Sequence, residues 1–175
     1  VIFSLIGLAI GVGVAVWQIQ TQSARVMRQG SQEAAKVEPM AGLKLGGPYN
    51  LVNQDGEKVT EATYAGQYKL IYFGFTYCPA ICPTELQKMR AVMNGLPPEL
   101  AEKIQPIFVS VDPERDTAEV MKSYVSLFHP RLVGLTGTVP QVDMMKKNYR
   151  IFASKAQSED GNDYTMDHSS FTYLM

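Results

Sequence analysis

Residues 68–89 read YKLIYFGFTYCPAICPTELQKM. Tyr68 to Phe75 is a dense run of aromatic and β-branched residues, apolar on both faces, which predicts a central buried strand rather than a solvent-facing one. The run leads directly to Cys78 and Cys82, the only cysteines of the chain. Thr84-Glu85-Leu86-Gln87 then has the Thr-x-x-Gln form of a capping box, and Leu86, Met89, Met93 and Leu96 follow it along one helical stripe. Gly95 and Pro97-Pro98 stop that helix. The order is strand, cysteine pair, helix.

The alternation continues toward the C-terminus. Ile104 to Val111 reads as a second buried strand, closed by Asp112-Pro113. Asp116-Thr117-Ala118-Glu119 caps a helix carrying Val120, Met121, Tyr124, Val125 and Phe128, with Asp116 expected as the capping residue. Arg131 to Leu135 is a third short strand, and Thr138-Val139-Pro140-Gln141 caps a helix that runs to about Tyr149. Ile151 to Ala153 begins another extended stretch, Gln157 to Asp163 is a loop, and Phe171 to Met175 has the composition of a strand interior. Upstream, Tyr49 to Val52 and Lys58 to Thr60 flank Gln54-Asp55-Gly56-Glu57, a hairpin built on Asp-Gly. Strands and helices in this order predict an α/β sheet with helices packed on it.

Val1 to Trp17 differs from everything after it, because it contains no charged residue. With Gln18 to Gln20 it is long enough to span a bilayer. A signal peptide is the competing reading, but its apolar region normally covers about 7 to 15 residues and ends at small residues, whereas Trp17 closes this run as an interfacial anchor. The expected organisation is a transmembrane anchor over residues 1–20, a polar stalk over 21–42 and a globular domain over 43–175, with the chain truncated at its N-terminus. Arg25 and Arg28 taken alone would put the stalk on the cytoplasmic side.

Composition narrows the function classes. The chain has 175 residues, enough for one ordinary domain and an appendage. Hydrophobic residues at 46% against 19% charged exclude disorder for the bulk of it. A net charge of -1 leaves no electrostatic footprint for nucleic acid. Two cysteines and two histidines exclude a disulfide-rich scaffold and a four-cysteine zinc module, though a three-ligand site is still available.

A thiol close to a helix N-terminus meets the positive end of the dipole and free N–H groups, which lowers its pKa and makes it nucleophile and metal ligand. Thioredoxin-type redox pairs use two intervening residues, but here Pro79, Ala80 and Ile81 make three. On one helical turn the two cysteines would lie about 6 Å apart and share a face, within disulfide range. The same face could chelate one soft ion, such as copper(I), zinc or an iron–sulfur cluster; two inert buried cysteines are the bland alternative. His129, before Pro130, reads as a helix C-terminal cap. His168, in the polar turn Asp167-His168-Ser169-Ser170, reads from its own surroundings as a surface or hydrogen-bonded histidine. Met166 reads as core packing, and Asp112 could face the crevice at the strand ends.

The segments FGFTYCPAICPTELQKM, FVSVDPERDT, LVGLTGT and DHSSFTYLM, collinear from about Leu43 to Met175, together resemble the Sco/SenC family of membrane-anchored copper proteins. The resemblance implies a thioredoxin-like fold and a role in assembling the dinuclear CuA centre of cytochrome c oxidase subunit II. It places the domain in the periplasm, or in the mitochondrial intermembrane space, on a single-pass inner-membrane anchor, against the orientation that Arg25 and Arg28 would favour. The family's copper ligands map onto Cys78, Cys82 and His168, and Asp112 or Asp116 is expected near the site without being a ligand. A copper-donating protein is the implied second partner. Many members carry Asp where this chain has Ala80, and the family continues past TYLM, so the domain is expected to be incomplete at its C-terminus.

Two thiolates and an imidazole leave a copper(I) site with one excess negative charge and a copper(II) site neutral, so either oxidation state is tolerable. The leading expectation is therefore a copper chaperone. The alternative is a thiol–disulfide oxidoreductase that reduces the CuA-ligand cysteines of subunit II, with Cys78 and Cys82 catalytic. A peroxidase-like branch is a third reading, and it would not require the histidine.

Overall fold

The computed structural model describes residues 44–158 and 163–175. The expected anchor and stalk lie outside these residues, and no helix among the described residues is long and apolar enough to cross a membrane.

Strands β1 (Asn50–Asn53) and β2 (Lys58–Thr60) form the expected hairpin, with Leu51 opposite Val59. Gly56 turns it with φ +79, a conformation open to glycine at little cost. The Asn53 side-chain oxygen accepts from the N–H groups of Asp55 and Glu57, so the turn carries its own hydrogen bonds. Strand β3 (Tyr68–Gly74) pairs in parallel with β4 (Ile104–Ser110), and β4 pairs in parallel with β5 (Val133–Thr136). β1 joins the far side of β5 antiparallel, and β8 (Thr172–Leu174) joins β3 antiparallel. The order is β2-β1-β5-β4-β3-β8. As the two-sided apolar pattern predicts, Ile71, Tyr72 and Phe73 are fully buried in β3, each contributing about 2 kcal/mol of burial.

Helix α1 (Ile81–Gly95) buries Cys82, Leu86, Met89 and Met93, and the short α2 (Pro98–Ala101) follows it. Helix α3 (Ala118–Val125) buries Met121 and Val125, and α4 (Val139–Asn148) buries Val142 and Met145. α1 and α3 pack over the sheet face that carries Tyr72, Gly74, Phe108 and Gly134. Phe73 points to the other face, against Tyr149 after α4 and Tyr173 of β8. Strands β6 (Ala153–Gln157) and β7 (Tyr164–His168) form a separate antiparallel ribbon. Leu45–Met175 cluster as one unit; of the other unit, Val1–Lys44, only Lys44 is described.

Three local expectations are corrected. α1 begins at Ile81, not at Thr84. Pro83 is tolerated in the first turn because its missing N–H would have no helical partner there, so the helix extends back past it. Thr84 consequently sits inside the helix and its hydroxyl donates to the Ala80 carbonyl at 2.8 Å. At α3 the cap is Thr117, whose side chain accepts from Val120 N–H, while the Asp116 carboxylate turns inward. His129 does not cap α3: its Nδ1 accepts from the Arg131 N–H at 3.1 Å in the following turn. The box at Thr138 forms as read, with Gln141 Oε1 accepting from the Thr138 N–H at 2.8 Å.

Candidate metal centre

The C-terminal ends of the parallel strands β3 and β4 carry the functional loops, the usual location for sites in open α/β sheets. The loop after β3 holds Cys78, which is 7% exposed, at the rim. Its Sγ accepts from the Cys82 N–H at 3.4 Å, so the first sulfur rests against the start of α1. Cys82, in the first turn of α1, is fully buried.

Burial of Cys82 depends on Gly74. A Cβ at that position would stand 2.6 Å from the Cys82 sulfur and 2.9 Å from Phe108, closer than real contacts allow. The Tyr72 hydroxyl donates to Cys82 Sγ at 3.8 Å from the same strand. Burial, the dominant influence, pushes the Cys82 thiol up to about 12. For Cys82 this corrects the expectation of a thiol acidified by the helix start, since desolvation disfavours the thiolate more than the neighbouring donors favour it.

His168 is not in a turn but ends β7, paired with Ala153. Its Nε2 lies 3.5 Å from Cys82 Sγ, and its Nδ1 lies 3.0 Å from the Ser169 carbonyl. A carbonyl can only accept, so this contact suits a proton on Nδ1, and in the neutral ring Nε2 is then the lone-pair atom facing Cys82 Sγ. The ring is held edge-on by Phe75 and Tyr72, at 5.7 and 6.4 Å between centroids. The two sulfurs and a His168 ring nitrogen all lie within 4.8 Å of one another. Metal–ligand bonds of about 2.0–2.3 Å would draw the three atoms onto one ion with little movement.

The acidic turn after β4 splits into two roles. Asp116 is fully buried and accepts from the Thr76 N–H, the Thr76 hydroxyl at 2.6 Å and the Ser110 hydroxyl at 2.6 Å. It therefore anchors the backbone two residues before Cys78, and burial raises its carboxyl above the usual range despite these donors. Asp112 binds Arg115 and Tyr164 instead. Neither is part of the three-residue cluster. Gly74 and Arg115 were not singled out by sequence reasoning; a glycine inside an otherwise bulky strand is the signal that would have marked Gly74.

Comparison with known proteins gives a consistent picture. Residues 37–175 match the SCO1/SenC family. The chain is 41% identical over 170 residues to the mitochondrial Protein SCO1 homolog 1 of Arabidopsis thaliana, covering 95% of this chain and 50% of that protein. It is 45% identical over 132 residues to the mitochondrial Protein SCO1 homolog of Homo sapiens, covering 75% and 44%. The chain thus spans about half the length of these curated relatives. Among solved structures, Bradyrhizobium japonicum ScoI with copper bound matches with a TM-score of 0.70 and 44% identity, over 75% of this chain and 82% of that one. Yeast Sco1 with copper bound matches with a TM-score of 0.69 and 42% identity, over 76% and 74%. The α/β fold expected from the sequence is the fold of these structures.

Proposed function

Because the chain belongs to the SCO1/SenC family, we propose that it is a copper chaperone that takes copper(I) or copper(II) as its cargo on Cys78, Cys82 and His168. The observation that carries this reading is the convergence of the two sulfurs and the imidazole nitrogen within 4.8 Å. Thiolates suit copper(I), and the neutral imidazole adds the harder donor that copper(II) requires. Cys82 is sealed beneath the site while Cys78 and His168 form its outer edge, so a partner's thiolates reach the ion from the Cys78 side. We assign the receiving partner as the CuA domain of cytochrome c oxidase subunit II, with a separate copper-donating protein upstream. Residues 1–20 anchor the chain in the inner membrane as a single span, 21–42 form the stalk and 43–175 the copper-binding domain, on the periplasmic or intermembrane-space side.

Metal analysis and absorption spectra of the reduced protein test the ligand set. One copper per chain is expected, with Cys78→Ala weakening binding and the thiolate bands and His168→Ala weakening binding and altering them. Full affinity with an unchanged spectrum in the His168 variant overturns the three-ligand site.

One observation favours a second reading as a thiol–disulfide oxidoreductase. Both cysteines are free thiols, and the Cys82 N–H already points at Cys78 Sγ. The Cys78 thiolate would attack a disulfide of subunit II, and Cys82, after losing its proton, would displace the mixed disulfide. The target leaves as a dithiol carrying the two electrons and the two protons given up by Cys78 and Cys82, and this chain is left oxidised with a Cys78–Cys82 disulfide. This route needs no imidazole, so His168→Ala separates the two activities.

A further inference from the structure

Among the described residues the β6–β7 ribbon has no strand pairing with the six-stranded sheet, so side-chain contacts are what tie it to the sheet's loops. Tyr164, Met166 and His168 occupy alternate positions of β7 and share one face. Met166 enters the core and His168 reaches Cys82. Tyr164, at the other end of the strand, meets the turn that closes β4. Its hydroxyl donates to Asp112 Oδ1 at 2.9 Å. The Arg115 guanidinium lies 3.7 Å from the centroid of the Tyr164 ring and donates from Nη1 to the Tyr164 carbonyl at 2.8 Å. Its Nε donates to Asp112 Oδ2 at 2.5 Å, and Nη1 also reaches Asp163. The same guanidinium lies 4.7 Å from the ring of Tyr77, the residue before Cys78.

We propose that Arg115 is a positioning residue that fastens the ribbon presenting His168 to the loop presenting Cys78, and so sets the ligand separation of the metal centre. One guanidinium contacts both ligand-bearing segments, lying over the Tyr77 and Tyr164 rings while its N–H groups donate to a carboxylate and a carbonyl. A lysine cannot make that set of contacts, because its ammonium is a point charge without the planar fork. Nη2 is buried with no hydrogen-bond partner among the described residues, so the group keeps its place at a desolvation cost. The Lys155–Glu114 pair ties the ribbon to the turn after β4 but is half-exposed and adds little. The functional meaning of this fastening rests on the copper reading of the site; the fastening itself does not.

The test is hydrogen exchange of the metal-free, reduced full chain, followed by copper(II) titration with electron paramagnetic resonance, for Arg115→Gln, Arg115→Lys, Tyr164→Phe and His168→Ala. In Arg115→Gln, amides of Ala153–Gln157 and Tyr164–His168 are expected to exchange at least about tenfold faster while β3 and β4 stay protected. Copper(II) affinity is expected to fall about 10- to 100-fold, the usual effect of removing a group that orients a metal ligand. Arg115→Lys should not rescue either readout, and Tyr164→Phe should give a smaller change in the same direction. Unchanged ribbon exchange, or equal acceleration across the whole sheet, overturns the proposal. So does unchanged copper(II) binding in Arg115→Gln when His168→Ala has lost it. If ribbon exchange rises but neither Arg115→Gln nor His168→Ala affects copper, the fastening stands and the copper reading falls.

Discussion

Gly74 and Cys82 are in such close contact that a single methyl group on the glycine would stand 2.6 Å from the cysteine sulfur. The buried Cys82 is therefore placed by the absence of a side chain eight residues earlier in the sequence. Gly74→Ala is expected to push α1 off the end of β3, costing about 1–3 kcal/mol in denaturant unfolding and weakening copper binding. A variant with wild-type stability and affinity would show that the strand end adapts freely.

Asp116 offers a second handle on the same loop. Asp116→Ala leaves the Thr76 N–H and the Ser110 hydroxyl without their buried acceptor, and a loss of about 2–4 kcal/mol is expected from unmet donors. Asp116→Asn keeps an acceptor oxygen and should fall between. Chemical denaturation of the three proteins orders them, and equal midpoints would rule out the anchoring role.

Copper uptake should release protons. Burial holds the Cys82 thiol neutral up to about 12, so a copper ion must displace that proton, and apparent affinity should rise with pH by at least about tenfold per unit between about pH 7 and 9. Competition titrations, corrected for the chelator's own protonation, measure the slope. A flat profile would mean that Cys82 does not bind as a thiolate.

Oxidation should close the site. A Cys78–Cys82 disulfide has no thiolate to donate, so the fully oxidised protein is expected to take up no copper until a reductant is added. Undiminished uptake by oxidised protein, with thiols counted beforehand, would contradict this.

Deleting residues 1–20 should move the protein from the membrane to the soluble fraction while leaving copper binding intact, because every proposed ligand lies after residue 77. A truncated chain that still pellets with membranes would locate the anchor elsewhere.

How far the sequence was readable depended on the range of the forces involved. The β3 run, the Asp55-Gly56 hairpin and the Thr138–Gln141 box were legible because near neighbours decide them: two-sided burial, one positive φ, and a reciprocal cap within a single turn. Thr84 and Asp116 carry the same local patterns yet do other work. Asp116 serves Thr76, 40 residues away, and no window around Asp116-Thr117 contains that partner. His168 reads as a surface residue on its own surroundings, and only the family resemblance brings it beside Cys82, 86 residues earlier in the chain. Arg115 lies in the acidic DPERDT segment, and its contacts with the Tyr77 and Tyr164 rings exist only once the ribbon folds over the β4 turn.

The span of 86 residues between Cys82 and His168 also concerns the unfolded chain. Unfolding scatters the three ligand atoms, so an ion seated on them adds its binding energy to the native state alone. Thermal unfolding should then track cargo: the loaded protein melts higher than the empty one, and a molecule that unravels must surrender its copper. Retention of the metal and integrity of the fold become a single property, so the copper-free protein is the form most open to proteolysis.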